Sequence, residues 1–270
     1  MSTRYFTGGA NDGNFGTAGN WDTSTAPVNG DTVIIGATNQ NITAGLATGL
    51  TSIVLKITAG YGGSIGDASN SLTFTGSLEY AGRGAFAKFG SGGTISAGVF
   101  NHTGGTAYVS SGTWTSLTNG KGNIDIAAAA VVTTAYNVGG VFTAGYNATA
   151  FTTFNNSGMA TISRACTTLN CKGGSVVSLD NGTTTYISNA TVNVNNGAIY
   201  NKRSGGTDTT VTVDPGGVLT IDGTSGGAAG TVTVTTLNEY GGSRIIDAVP
   251  GLVLTVGTRN RIGVIGTSYT

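Results

Sequence analysis

Thr209-Thr-Val-Thr-Val-Asp-Pro-Gly-Gly-Val-Leu-Thr-Ile221 contains both of the local patterns that decide the fold of this chain. On either side of its centre, apolar residues alternate with threonine, which is the period-2 pattern of a half-buried β-strand. At the centre, Asp214-Pro-Gly-Gly217 is a turn sequence, because aspartate hydrogen-bonds its own backbone and glycine accepts a positive φ. The segment therefore predicts a strand, a tight corner and a second strand.

The same succession of corner and strand recurs along the chain. Similar segments begin at Gly139, Gly173, Asn196 and Gly241, and most turn dipeptides follow one another after about 20 residues, a spacing typical of solenoid repeats. In a parallel β-helix, each coil of this length contributes short strands that pair with the same strands one coil above. We predict an all-β chain built as such a solenoid, a parallel β-helix with terminal caps. A β-sandwich also contains many short strands and turns, and it is the alternative.

The composition agrees with a β-solenoid and excludes several other classes of protein. The chain has 270 residues with 47 glycines and 3 prolines, and 9% of its residues are charged, whereas an ordinary globular domain carries about 25%. Low charge and few prolines exclude a disordered chain, and irregular glycine spacing excludes collagen. The abundant Gly, Thr, Asn, Ser and Val are poor helix formers and exclude a helical bundle.

Charge and terminal sequence restrict the expected partners and compartment. Twelve Lys and Arg residues balance twelve Asp and Glu residues, so no overall field attracts nucleic acid, and we predict no nucleic-acid partner. The start, Met1–Phe6, lacks the pattern of a secretory signal, and the longest apolar run, Ile126–Val132, is too short to span a bilayer. We therefore predict a protein made in the cytoplasm without a membrane partner. The two cysteines, Cys166 and Cys171, agree with a reducing compartment.

The two ends of the chain are expected to protect the end coils, because open strand ladders are templates for unwanted pairing. Residues 1–21 are predicted to form an amino-terminal cap, residues 22–249 the solenoid body, and residues 250–270 a carboxyl-terminal tail strand. The tail either covers the last coil or pairs with a neighbouring subunit. No linker divides the chain, so we predict one domain. The predicted contact residues at the two ends are Tyr5, Phe6, Phe15, Trp21, Leu252, Leu254, Arg259, Arg261 and Ile262.

Residues that could carry chemistry are few. His102 is the only histidine, and its place before a Gly-Gly corner is typical of a turn or surface residue. Cys166 and Cys171 are interpreted as small buried residues of a ladder, since two sulfurs alone do not complete a zinc site. The segment Gly82–Ala87 matches the glycine spacing of a dinucleotide fingerprint, but no helix pattern follows it. We predict no catalytic residue, no metal site and no cofactor.

One segment near the start resembles known families. Asn20-Trp21, followed by Ala26-Pro-Val-Asn-Gly-Asp-Thr-Val-Ile-Ile35, is similar to the opening coil of right-handed β-helix proteins, namely bacterial autotransporter-type surface proteins and phage virion proteins. The resemblance implies right-handed coils. Autotransporter passengers carry a signal peptide and a membrane barrel, and the sequence shows neither, so the resemblance favours virion proteins.

The resemblance implies a structural role. We expect a capsid decoration (cement) protein, a homo-oligomer in the form of a trimer, that bridges major capsid protein subunits on a phage head. Its location would be the virion, assembled in the host cytoplasm. The alternative is a tail-fibre or spike module that binds host-surface glycan through exposed aromatic residues and asparagines. The aromatic residues considered for glycan contact are Tyr61, Tyr80, Tyr108, Trp114, Tyr136, Tyr146, Tyr186, Tyr200 and Tyr240.

Two further patterns have simple interpretations. Asp180, Asp208, Asp214 and Asp222 would align on coils of about 20 residues, as carboxylates do in β-helix enzymes that cleave polysaccharides, but Asp180 and Asp214 also stand in turn sequences. Thr-x-Thr pairs recur at irregular spacing, and we interpret them as solvated strand faces. We therefore do not predict an enzyme.

Overall fold

A computed structural model describes residues 1–179, 186–203, 205–222, 230–247 and 252–263 of the protein. The described residues form β-strands and one short 3-10 helix, and none of them lies in an α-helix. The chain divides into two compact units, residues 1–134 and residues 135–270. Each unit is a parallel β-solenoid, which confirms the predicted fold class. The β-sandwich alternative is wrong, because neighbouring strands run parallel. The handedness of the coils stays a prediction.

The first unit contains a 3-10 helix at Ala18–Asn20 and nine complete strands, and a tenth strand begins in it. The strands are β1 (Thr3–Phe6), β2 (Thr32–Ile35), β3 (Ala47–Ile57), β4 (Leu72–Tyr80), β5 (Phe86–Gly90), β6 (Thr94–Phe100), β7 (Thr106–Val109), β8 (Gly112–Asn119), β9 (Asn123–Ile126) and β10 (Ala130–Asn137). Strands β1, β2, β3, β4, β6 and β8 pair in succession, and β5, β7 and β9 form a second series.

Alternation of apolar and polar residues places one row of side chains inside each series. Phe6, Ile35, Ile57, Tyr80 and Phe100 are register partners on successive strands of the first series, and all five are buried. Aromatic and β-branched residues are good strand residues because they pack on a pleated surface. The coils therefore stack on an apolar ladder, as the period-2 pattern predicts.

The second series of the first unit shows the length of one coil. Thr106, the first residue of β7, is the register partner of Asn123, the first residue of β9. The intervening chain contains β7, a turn, β8 and a second turn. Residues 106–122 therefore make one complete coil.

The predicted cap residues form a small aromatic core of the first unit. The Trp21 ring packs edge-on against Phe6 and Phe15, with ring centroids 5.2 Å and 5.0 Å apart. Its indole N–H donates a hydrogen bond to the Phe15 carbonyl over 2.9 Å. Because Phe6 also ends strand β1, which pairs with β2, the beginning of the chain is already part of the parallel sheet. Trp21, which belongs to the segment that resembles the opening coil of other β-helix proteins, thus has a packing role.

Asp31 belongs to the same segment as Trp21. It holds the start of the chain against the first corner. Its carboxylate accepts hydrogen bonds from the backbone N–H groups of Ser2 (2.8 Å) and Val28 (3.2 Å) and from Arg4 Nε (3.2 Å). Burial raises the pKa of Asp31, but these bonds outweigh burial, so its pKa lies below the ordinary aspartate value. The Gly-Asp dipeptide is therefore explained by local hydrogen bonding.

The second unit repeats a simpler two-strand coil. Its strands are β11 (Val141–Ala144), β12 (Phe151–Asn156), β13 (Met159–Ile162), β14 (Cys166–Cys171), β15 (Ser175–Ser178), β16 (Thr191–Val194), β17 (Ile199–Lys202), β18 (Gly206–Val213), β19 (Val218–Ile221), β20 (Gly230–Tyr240), β21 (Arg244–Asp247) and β22 (Leu252–Ile262). Even-numbered strands from β12 to β22 pair in one series, and odd-numbered strands from β11 to β21 pair in another.

The opening sequence pattern is confirmed in this unit. The residues of β18 and β19 alternate between buried and partly exposed, with Val211, Val213, Leu219 and Ile221 on the buried side. Within the predicted tail, residues 252–262 form strand β22, which pairs in parallel with β20. Strand β22 thus adds one more strand to the even-numbered series.

Corner glycines are required for two different reasons. Gly174 has a φ of +58°, and a Cβ there would lie 2.1 Å from the Gly158 carbonyl oxygen of the preceding coil. Gly197 has a φ of +75°, but a Cβ there would meet nothing within 4 Å. Positive φ favours glycine at both corners, and close stacking of coils excludes a side chain only at Gly174.

Candidate functional site

The outer side of the even-numbered strands in the second unit carries the same two residue types coil after coil. One row is threonine on all six strands, and the other row, two residues later, is asparagine on every strand except β18. We call this surface the Thr–Asn face. Its pairs are Thr153 and Asn155, Thr168 and Asn170, Thr191 and Asn193, Thr210 and Thr212, Thr236 and Asn238, and Thr258 and Asn260.

Amide hydrogen bonds run along the asparagine row. Asn170 Nδ2 donates to Asn155 Oδ1 over 3.0 Å, and Asn193 Nδ2 donates to Asn170 Oδ1 over 2.8 Å. Asn260 Nδ2 donates to Asn238 Oδ1 over 2.9 Å. These bonds orient the amides in the same direction and leave the row uncharged. Hydroxyl and amide groups are thereby repeated at the strand spacing of about 4.8 Å, which suits an uncharged polar ligand.

The odd-numbered strands present a more apolar surface. Val141, Met159, Ser175, Ile199 and Val218 are register partners on successive strands, and we call this row the apolar stripe. The exposed fractions are 39% for Val141, 62% for Met159 and 42% for Ile199. Several large apolar side chains exposed in one row are a feature of protein-binding surfaces.

The predicted contact residues at the amino end separate into two groups. Phe6, Phe15 and Trp21 are buried in the core of the first unit, so they have no surface to offer to a partner. Tyr5 is 49% exposed, because its position in β1 points away from that core. The aromatic residues of this segment thus serve packing, and contact through Tyr5 stays a prediction.

The predicted contact residues at the carboxyl end lie on β22. Arg259 and Arg261 form ion pairs with Glu239, with N to O distances of 2.5 Å and 3.2 Å. Burial raises the pKa of Glu239, but the two arginines outweigh burial and hold its pKa below the ordinary value. Leu254 is half-buried and Ile262 is 45% exposed, while Leu252 is placed only by its pairing with Gly230. Partner contact at this end stays a prediction.

His102 lies at a corner between β6 and β7, as predicted, but its interpretation as a surface residue is wrong. Its side chain is fully buried, and its ring centroid is 5.4 Å from that of Tyr80. Removal from water lowers the pKa of His102. A neutral imidazole is therefore favoured at this corner.

The cysteines are buried free thiols, which confirms their interpretation as residues of an inner ladder. Cys171 is the register partner of Asn156 on one side and Val194 on the other. Burial raises the pKa of both thiols well above the ordinary cysteine value. Because the thiolate is the reactive form, both cysteines are expected to be unreactive in the folded chain.

The aspartates considered as a possible row of carboxylates are not a set in the part of the chain that the structure describes. Asp180 lies outside the described residues. Asp208 is buried and 3.1 Å from Lys202 Nζ, whereas Asp222 pairs with Arg203 over 3.3 Å. Asp214 begins a turn, since its carbonyl accepts a hydrogen bond from the N–H of Gly217. These three described carboxylates have different surroundings and do not act as a set.

Aromatic residues considered for glycan contact are partly core residues. Tyr61, Tyr80, Trp114 and Tyr200 are buried, which removes them from any surface. The others are at least partly exposed, and Tyr136 and Tyr186 have exposed fractions of 40% and 38%. Tyr108 packs against Phe86 of the preceding coil with ring centroids 4.9 Å apart.

A buried polar cluster in the second unit was not predicted as a unit. It consists of Asn189, Tyr200, Lys202 and Asp208, whose exposed fractions are 2%, 0%, 0% and 1%. Asp208 Oδ1 accepts hydrogen bonds from the backbone N–H of Asn189 (3.0 Å), from Asn189 Nδ2 (2.9 Å) and from Lys202 Nζ (3.1 Å). Tyr200 donates to Asp208 Oδ2 over 3.0 Å, and Lys202 Nζ also donates to the Ile187 carbonyl.

One sequence signal for this cluster was present. In Ile199-Tyr-Asn-Lys202, period-2 alternation puts Lys202 on the same side as Tyr200, which faces the interior. A lysine at an inward position of a strand requires a buried acceptor. The sequence indicates only that Asp208 would align with three other aspartates on successive coils, because a sequence does not reveal which neighbour on the next coil its side chain meets.

Other kinds of site were sought in the part of the chain that the structure describes. No group of three or more His, Cys, Asp or Glu side chains there is arranged to hold a metal ion. No helix there is long and apolar enough to cross a membrane. Comparisons of the chain with protein-family models, with curated proteins and with solved structures found no match.

Proposed function

We propose that the protein is a structural component of a phage virion, a capsid decoration protein that docks on neighbouring capsid subunits. The observation that carries the proposal is the apolar stripe, in which exposed Val141, Met159 and Ile199 lie in register on one surface of a parallel solenoid. The resemblance of Asn20–Ile35 to the opening coil of virion β-helix proteins supports the same role.

The energetics of the stripe suit a mechanical function. Covering a half-exposed Met, Ile or Val side chain contributes about 1 kcal/mol, at about 25 cal/mol per Å² of apolar surface. A row of such contacts adds several kcal/mol for each copy of the protein. Many copies on one particle then act together. The contact needs no charge, in agreement with a chain that is 9% charged.

Co-sedimentation tests the capsid role. Purified protein is mixed with phage heads, and separately with tails, of the virus that encodes it. We expect pelleting with heads, and we expect Met159→Lys together with Ile199→Lys to weaken pelleting at least about tenfold, since each charge would be buried at the contact. The matched control is Thr168→Lys on the Thr–Asn face, which we expect to bind like the unchanged chain.

The particle with which the protein pellets distinguishes the capsid role from the fibre or spike role. Pelleting with tails alone would favour a fibre or spike, and pelleting with neither particle would contradict a virion role. Equal pelleting of all variants with heads would leave the capsid role but contradict docking through the apolar stripe. Light scattering of the free protein measures its oligomeric state, for which we propose a trimer.

The second candidate is a fibre or spike module that binds host-surface glycan. The observation that favours it is the Thr–Asn face, a row of uncharged amides and hydroxyls with fixed orientation. Glycan array binding tests it, and we expect Asn193→Leu to reduce any binding whereas Ile199→Lys on the other surface would not. Absence of binding to every glycan would contradict this candidate.

A further inference from the structure

The buried polar cluster has the arrangement of a small reaction centre. Lys202 and Asp208 are removed from water almost completely, with side-chain exposures of 0% and 1%. An ion pair buried in this way is a weak source of stability, because the desolvation of two charges offsets their attraction. Apolar residues fill most other inward positions of the second unit that the structure describes. The presence of a buried lysine, carboxylate and amide at one point is therefore better explained by chemistry than by stability.

The carboxylate is placed between a nucleophile and a leaving group. The same oxygen, Asp208 Oδ1, is 3.1 Å from Lys202 Nζ and 2.9 Å from Asn189 Nδ2. Both distances permit proton transfer through a direct hydrogen bond. One carboxylate can therefore take a proton from the lysine nitrogen and deliver it to the amide nitrogen.

The amide carbonyl is also activated. Asn189 Oδ1 accepts a hydrogen bond from the backbone N–H of Cys166 over 2.9 Å. This bond fixes the orientation of the amide, because a backbone N–H only donates. A donor directed at a carbonyl oxygen stabilises the negative charge that develops when a nucleophile attacks the carbon. The backbone of β14 thus supplies the oxyanion contact.

Tyr200 holds the amide and the acid in position. Asn189 Nδ2 donates its second hydrogen bond to the Tyr200 hydroxyl over 3.1 Å, and that hydroxyl donates to Asp208 Oδ2 over 3.0 Å. Both partners are therefore oriented by a rigid, fully buried phenol. Fixed orientation of reacting groups removes much of the entropic barrier to a reaction.

We propose that Lys202 and Asn189 join spontaneously in an intramolecular isopeptide bond. A proton first passes from the Lys202 ammonium group to Asp208, which leaves a free amine. Nζ attacks Asn189 Cγ, the C–Nδ2 bond breaks, and Asp208 returns the proton to the departing nitrogen together with the one lost by Nζ during attack. The products are one Nζ–Cγ amide, the regenerated Asp208 carboxylate and one ammonium ion, and no oxidant, reductant or cofactor takes part.

The bond would close a loop within one coil. It would connect the segment before β16 to the end of β17, which are consecutive strands of the second unit. Pulling or heating could then not separate these two strands without breaking a covalent bond. The inference is independent of the proposed function, since a crosslinked coil would serve a capsid protein and a fibre equally.

Mass spectrometry of the intact, purified chain tests the proposal. We expect a mass lower than that of the sequence by one ammonia, about 17 Da. Trypsin does not cleave after an acylated lysine, so the modified peptide is expected to run from Gly173 to Arg203. Its fragmentation should lack cleavages between Asn189 and Lys202. A folded, unchanged chain at the full sequence mass would overturn the proposal.

Variants separate this bond from other losses of the same mass. Lys202→Met removes the nucleophile and Asp208→Asn removes the proton carrier, so we expect both chains at their full masses. Lys172→Met, which changes an exposed lysine, should keep the loss. Circular dichroism checks that each variant is folded. The intact mass of the unchanged chain tests the proposal even if a variant fails to fold.

Two outcomes would assign the chemistry differently and so contradict the proposal. Loss of ammonia that persists in Lys202→Met would show that an asparagine cyclises on its own backbone. Loss of water, about 18 Da, with a peptide joining Lys202 to Asp208, would make the carboxylate the acceptor in place of the amide.

Discussion

Single buried polar residues determine how the coils of this protein are held at their ends and corners. Asp31 accepts three hydrogen bonds, and two of them come from backbone N–H groups that are far apart in the sequence. His102 is fully buried beside Tyr80. In both cases one protonation state suits the folded chain, and the consequences are measurable as a pH dependence.

Asp31→Asn is expected to lower the free energy of unfolding by about 1–3 kcal/mol at neutral pH, because charged hydrogen bonds are lost. The pKa of Asp31 is lowered in the folded chain, so its contribution is present above the unfolded value of about 3.9 and is lost as pH falls through the folded value. Urea unfolding at several pH values measures this effect. Glu79→Gln is the control, since Glu79 is 60% exposed and should change stability little.

A stability difference between unchanged and Asp31→Asn chains that persists at very low pH would contradict the charged role of Asp31. It would indicate that the shape of the side chain, and not its charge, is what the corner requires.

Because of His102, we expect the free energy of unfolding to decrease in mild acid. Its pKa is lowered in the folded chain, so the unfolded chain binds the proton more readily, and the free energy of unfolding falls as pH decreases below about 6.5. We expect His102→Gln to have a flatter profile between about pH 7 and about pH 5. Because the two chains share every other titrating group, the difference reports His102. Parallel profiles would contradict this assignment.

Strands and corners show what could be predicted from the sequence at the scale of elements. Val211, Val213, Leu219 and Ile221 were placed correctly, because alternation and turn residues are local properties. The Thr–Asn face and the buried polar cluster were missed, because they depend on which residues meet across coils. Asn155 and Asn170 are 15 residues apart, whereas Asn170 and Asn193 are 23 apart. Loops of unequal length therefore hide a regular surface.

Aromatic residues near the start illustrate the same limit. A cluster such as Phe15 and Trp21 in a polar segment indicates a packed core or an exposed contact equally well. The structure distinguishes them, since Trp21 packs between Phe6 and Phe15. Burial depends on the fold of the whole segment and not on the spacing of its apolar residues.

Two corner glycines give a matched test at this scale. Gly197→Ala is expected to cost about 1 kcal/mol, the price of a positive φ for a residue with a Cβ. Gly174→Ala is expected to cost about 3 kcal/mol or more, because its Cβ would also lie 2.1 Å from a carbonyl oxygen. Chemical unfolding of both variants measures the difference. Equal losses would show that the coils at Gly174 separate easily.

For the molecule as a whole, balanced charge is the dominant electrostatic property. The formal net charge is 0 at pH 7, and phosphate binding requires a basic surface. We expect no retardation of duplex DNA in a gel shift at low salt, with a basic DNA-binding protein as the positive control. Retardation that weakens as salt increases would contradict the prediction and would indicate a local basic patch.

The equivalence of Thr106 and Asn123 has a consequence for how such a chain can change in length. A second copy of residues 106–122, inserted after the first, would begin and end at matching points, so the neighbouring rungs could join it without altering their own contacts. Each duplication would lengthen the first unit by one strand spacing, about 4.8 Å. Genetic duplication of whole coils could thus change the length of the first unit in steps of one strand spacing.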